Sequence, residues 1–139
     1  MHTEGTFAPE TVEAARERYE SLGPTAQVVV REVARAMGFD REEYRDRATE
    51  DVVLTARDAL FANTLAVTVG TREEFGAWRE GYGGEVHLAG SENVDYVAWH
   101  APSFADEAVA ATFQNEEEAA IGTLRRQAFG RLYRDELHA

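Results

Sequence analysis

The stretch Asn63-Thr64-Leu65-Ala66-Val67-Thr68-Val69-Gly70 decides the fold, because the sequence changes its period there. Upstream, apolar residues recur every three or four positions. Here β-branched residues alternate and stop at a glycine, which is the pattern of a strand followed by a break. Asn63 and Thr64 alone separate the last helical pattern from this strand, so no flexible linker divides the chain. One domain over residues 1–139 is expected, helical over 1–62 and built of sheet plus helices over 63–139.

Working back from Asn63, Thr49 can cap a helix through Val52, Val53, Ala56, Ala59, Leu60 and Phe61, and Asp40 with Glu43 makes a capping pair for a short helix around Tyr44. From Thr25 to Met37 the valines spread over most of a helix circumference and Gly38 suits a left-handed C-terminal residue, so this helix is expected to be the most buried. A first helix is expected from about Pro9 to Leu22, stopped by Gly23-Pro24.

Working forward, Thr71 and Glu74 form a capping box for a short helix carrying Phe75 and Trp78, which ends in Gly81-Tyr82-Gly83-Gly84. Three apolar segments follow, at 85–89, 94–100 and 107–114, and read as a meander. Asn115 and Glu118 are placed to cap a last helix reaching about Leu137, with Ile121, Leu124, Ala128 and Leu132 facing the sheet and Phe129 and Tyr133 widening that stripe. The fold class is therefore α+β: a helical N-terminal part, then about four strands in a mainly antiparallel sheet covered by a long C-terminal helix.

Composition narrows the function. Of 139 residues, 26 are Asp or Glu and 14 are basic, all of them Arg, for a net charge of -12. Affinity for polyanions grows with the phosphates neutralised, so general nucleic-acid binding is disfavoured. Without cysteine there is no disulfide scaffold, thiolate catalysis or Cys-ligated zinc. No signal peptide and no membrane-length apolar run is read, so a cytoplasmic location is expected. The absence of Lys, with Glu forming 19 of the 26 acids, keeps weakly hydrated guanidinium groups and an acidic coat, as in halophiles. A GC-rich genome would also favour Arg codons.

Several constellations carry groups capable of chemistry. Arg125, Arg126, Arg131 and Arg134 follow Glu116-Glu117-Glu118 on the last helix, a candidate anion or partner contact, although the helix dipole favours the same order of charges. His87, Asp95 and His100 form a candidate polar site on the sheet, since such residues hold zinc or share a proton. Counting by twos puts Asp95 with Val97 and Trp99 and sends His100 to the other side, so no metal site or cofactor is expected, and the histidines are expected at a solvated edge. Phe75, Trp78, Tyr82 and Trp99 make a candidate aromatic interaction patch, or part of the core. His2 and His138 lie in termini expected to fray.

Ala34, Gly38 and Tyr44 sit at helix-turn-helix offsets within residues 28–47. Against this, Asp40 to Arg47 carries four acids and three arginines and lacks Asn, Gln or Ser for base edges, so DNA is a possible partner but not the favoured one. Dinucleotide fingerprint, Walker loop, nucleophile elbow and Schiff-base lysine are all missing.

Leu22-Gly23-Pro24-Thr25-Ala26-Gln27-Val28-Val29-Val30-Arg31-Glu32-Val33 and Thr123-Leu124-Arg125-Arg126-Gln127-Ala128-Phe129-Gly130-Arg131-Leu132-Tyr133-Arg134 resemble segments of a small haloarchaeal family with an uncharacterised domain of unknown function. The resemblance spans essentially the whole chain and implies a salt-loving cytoplasmic origin. It implies no activity or site residues. The expected function is a non-enzymatic protein-interaction or regulatory module that contacts a protein partner or a second copy of itself as a homodimer. The alternative is a helix-turn-helix-like DNA-associated regulator, and a small acid-base or metal-dependent enzyme comes third.

The charge reading generates the first prediction. Raising KCl from about 0.1 to about 3 M shortens the Debye length from about 10 Å to below 3 Å and screens the self-repulsion. The melting temperature is expected to rise across that range; a flat or falling melting curve would remove the halophilic reading.

Overall fold

A computed structural model describes residues 1–139. The elements in order are β1 (His2–Glu4), α1 (Val12–Ser21), α2 (Gly23–Ala36), α3 (Arg41–Arg47), α4 (Glu50–Thr64), β2 (Val67–Thr71), α5 (Arg72–Glu80), β3 (Glu85–Ala89), β4 (Tyr96–His100), β5 (Glu107–Phe113), α6 (Glu117–Ala128), a π turn (Phe129–Tyr133) and α7 (Arg134–Leu137). The architecture is α+β, as expected, with helices first, a mostly antiparallel sheet and a long C-terminal helix. The punctuation works much as its chemistry predicts. Thr49 accepts from Val52 N–H, Asp40 from Glu43 N–H, and Thr71 with Glu74 closes a reciprocal capping box.

The sheet departs from the expected meander. It has five strands in the order β1-β2-β4-β5-β3. His2–Glu4, expected to fray, pairs antiparallel with Val67–Val69. The larger correction is β3, which does not pair with β4 but lies parallel to β5, Glu85 opposite Glu107 and His87 opposite Val109. Chain order alone cannot distinguish a hairpin from this placement, because the loop after β3 is long enough to carry β4 past β5. Other boundaries shift locally: α1 starts after Thr11 rather than at Pro9, Pro24 opens α2 rather than closing α1, and Glu116 precedes α6 without a side-chain cap.

Each face of the sheet has its own apolar cluster. Val67, Val69, Ala98, Val109 and Ala111 face the C-terminal helix, where they join Ile121, Leu124, Ala128, Leu132 and Tyr133. Phe61 is fully buried in this cluster, and Phe7, Tyr19, Phe129 and Tyr133 approach its ring at 5.2–5.9 Å, edge to face. On the opposite face, Val97, Trp99 and Ala110 pack under Phe75 and Trp78 of α5.

The π turn explains how the last helix keeps its apolar stripe. At about 100° per residue, Tyr133 would point about 120° away from Ile121 in an unbroken α-helix. One extra residue in the turn retards the helix and brings Tyr133, 1% exposed, back over the sheet.

The expectation that α2 is the most buried helix is wrong. Ala26, Val30 and Ala34 face inward, but Val28, Val33 and Met37 are 50%, 52% and 62% exposed. α2 packs chiefly on α4 and α1, which cover one side of it and leave the other to solvent. Core and ridge should therefore respond differently to truncation. Leu65→Ala, at a fully buried position, is expected to cost about 2–5 kcal/mol by chemical denaturation. Val33→Ala is expected to change stability by no more than about 0.5 kcal/mol.

Candidate functional site

The uncovered ridge of α2 is the most distinctive surface feature. Val29, Val33 and Met37 lie four residues apart along α2 and so on one line. With Phe39, Ala48, Val52 and Ala56 they line an almost wholly apolar groove of about 330 Å³ between α2 and α4. One end is shaped by the turn after α2. Gly38 has φ +75°, its N–H donates to Arg35 C=O, and Phe39 N–H donates to Ala34 C=O, a double bond pattern that ends the helix sharply. This is the left-handed turn foreseen for Gly38, and it delivers Phe39 to the groove, with Arg47 stacked 5.2 Å over its ring.

Beside that groove, Arg31, Arg35 and Arg41 line a second, open one with Asp40 and Tyr44. Arg35 also pairs with Glu32 at 3.1 Å. Residues 28–47, which supply most of the lining of both grooves, carry five Arg and five acids, and the α4 stretch that completes the apolar groove adds Glu50 and Asp51. The spread of valines around α2 was the available signal for this surface, but it suggests burial unless the number of covering layers is known.

The four arginines of the C-terminal helix have separate surroundings. Arg125 is half-buried and donates from Nε to Leu65 C=O at 3.0 Å, and burial pulls its pKa below the usual guanidinium value, partly offset by Glu4. Arg126 is exposed and reaches Thr123. Arg131 borders an open groove near His87, and Arg134 lies 5.5 Å over the Phe129 ring.

The polar sheet residues also separate. Asp95 is exposed and accepts from the Gln114 amide at 2.9 Å. His100 is not at a solvated edge: it sits on the central strand β4, 2% exposed. Ala66 C=O can only accept, so Nδ1–H donates to it at 2.6 Å, which leaves Nε2 to accept from Tyr133 O–H at 2.7 Å. Burial lowers the His100 pKa, the bond to Ala66 C=O opposes it and Arg125 adds a smaller lowering, so the net shift favours the neutral ring. His87 is on the edge strand β3, where its Nε2–H donates to Glu107 at 2.8 Å.

The aromatic residues do come together. Trp78 stacks on Tyr82 at 4.7 Å and meets Phe75 and Trp99 at 5.7 and 5.5 Å. Phe75 and Trp99 are buried, so the group is chiefly the second core, with Trp78 and Tyr82 half-exposed at its rim. The Tyr82 hydroxyl is buried without a hydrogen-bond partner, and burial followed by Asp106 and Glu107 raises its pKa.

Fold and surface together define an α+β protein whose helical part leaves one apolar ridge uncovered, and no helix is long and apolar enough to cross a membrane. A family model described as a family of unknown function (DUF5809) matches residues 6–134, and the chain belongs to that family. Comparison with curated proteins and with solved structures found no match.

The His100 pair generates a prediction with a definite sign. Its pKa is lowered from 6.5 on folding, so below about pH 6.5 the unfolded chain binds more protons than the folded one. The stability it contributes is complete above that value and is lost as pH falls through the folded pKa. His100→Gln, whose amide can serve both partners without titrating, is expected to flatten the decline in melting temperature between about pH 7 and pH 5. Tyr133→Phe leaves Nε2 buried and unpaired, and is expected to cost about 1–3 kcal/mol by denaturation at neutral pH.

Proposed function

We propose that the protein is a non-enzymatic interaction module of an acidic, salt-adapted interior, and that its α2–α4 ridge docks a second copy of the same chain. The observation that carries this reading is the coincidence of two properties along α2 and the segment after it: exposed Val29, Val33 and Met37, and a local charge balance of zero over residues 28–47. Soluble surfaces seldom expose large contiguous apolar patches without a use for them. A coat of like charge repels an identical molecule, and that repulsion is weakest where acids and arginines balance, as they do over residues 28–47.

A second copy fits better than an acidic or basic partner. The segment presents Arg31, Arg35 and Arg41 beside Glu32, Asp40 and Glu42, so a two-fold axis would set arginines against acids in both directions. Helix ridges spaced by four residues also pack readily against the same ridge of another helix. These properties favour α2 over the C-terminal helix or the aromatic group, whose apolar residues are largely used by the core.

Static light scattering in about 2 M KCl, where the coat is screened, is expected to give the mass of a dimer. Val33→Glu combined with Met37→Glu is expected to give a monomer of unchanged far-UV circular dichroism, because both side chains are exposed in the single chain. A monomeric wild type under these conditions, or a dimer that survives the double substitution, would overturn the proposal.

A further inference from the structure

We propose a divalent transition-metal site at the β3 edge of the sheet, formed by Glu85, His87 and Glu107. The parallel register creates it. Glu85 and Glu107 open their strands side by side on one face, and His87 follows two residues on, on that same face. His87 Nε2 lies 2.8 Å from Glu107 Oε1 and 3.9 Å from Glu85 Oε2, and one ligand atom from each residue falls within 4.8 Å of the others. Ligands at about 2.0–2.2 Å from a shared ion lie about 3.0–3.5 Å apart, so small side-chain rotations bring all three to bonding distance.

Charge favours occupancy. The two carboxylates have no ion-pair partner except this imidazole. A divalent ion would make a neutral set with two carboxylates and one neutral imidazole, bound at Nε2 in place of the proton that His87 now directs at Glu107 while the ring carries its one N–H at Nδ1. The imidazole nitrogen selects zinc-like ions over magnesium or calcium, which prefer all-oxygen sets. His87 also borders an open groove of about 660 Å³ shared with Gln127 and Arg131 of the C-terminal helix, so the remaining coordination positions are accessible to water or an anion.

A second group, His2 with Glu4 and Glu117, has a similar composition on the opposite edge. Its spacing, 3.4 and 3.7 Å, is comparable, but its His2 side chain is 49% exposed against 22% for His87, and His2 and Glu4 hang on a three-residue strand. The two groups serve as internal controls for each other.

Calorimetric titration of tag-free full-length protein with zinc ion, repeated with cobalt(II) to read its visible absorption, tests the site. One equivalent is expected to bind, with His87→Ala and Glu107→Gln each weakening affinity by about tenfold or more and His2→Ala leaving it unchanged. Circular dichroism checks that each variant is folded. Absence of binding, wild-type affinity in either β3–β5 variant, or loss on His2→Ala would overturn the assignment. These outcomes are independent of oligomeric state, so the site and the dimer stand or fall separately.

Discussion

Two carbonyl oxygens, those of Leu65 and Ala66, tie the helix-to-strand junction to the C-terminal helix and to the central strand. They lie where α4 gives way to β2, a point at which a helix can no longer satisfy its last acceptors and a strand has not begun to. Leu65 C=O takes the Arg125 Nε–H and Ala66 C=O takes the His100 Nδ1–H, while Ala66 N–H donates to Phe7 C=O. Each bond comes from a different part of the chain: the C-terminal helix, the central strand and the N-terminal segment. A buried peptide group left unpaired would cost about as much as several of these bonds contribute, so the junction admits few other arrangements.

The neighbouring residues follow from that constraint. Gly5 has φ +88°, and a side chain there would run into Leu65 C=O and the Arg125 guanidinium, so the turn leading from β1 to the junction requires glycine. The neutral tautomer of His100 is set by the carbonyl on one side, and its remaining acceptor draws the Tyr133 hydroxyl inward, which requires the helix to turn by an extra residue at Phe129–Tyr133. The π turn, a local irregularity, therefore answers to a polar group buried beneath it as much as to the apolar stripe.

This accounts for what could be read in advance. The switch from helix to strand at Leu65, the capping pairs at Thr49, Asp40 and Thr71, and the glycine after Met37 are local chemistry, complete within a few residues, and each appears at its expected place. Partner choice is not local. Whether β3 joins β4 or β5 depends on free energies of packing that no single segment records, and the histidines change meaning with it: His100 moves from an edge to the centre, and His87 gains Glu107 from a strand twenty residues away. The burial of α2 is non-local in the same way. The period of its valines is correct, but how many sides are covered is a property of the whole chain.

The two outer strands show how one electrostatic device can serve more than one end. β1 and β3 are the open edges of the sheet, where unpaired N–H and C=O groups invite other chains. Both are short, and each carries a histidine with glutamates around it, His2 with Glu4 and Glu117, His87 with Glu85 and Glu107. Charge at an edge discourages strand addition through its desolvation cost, a cost that persists in strong salt even where long-range repulsion is screened. Clustering carboxylates for that purpose leaves them mutually repelling, and a histidine among them relieves the repulsion by bonding one of them. The geometry that protects the edge is thus close to one that binds a cation. In contrast, the exposed line of Val29, Val33 and Met37 along α2 is apolar.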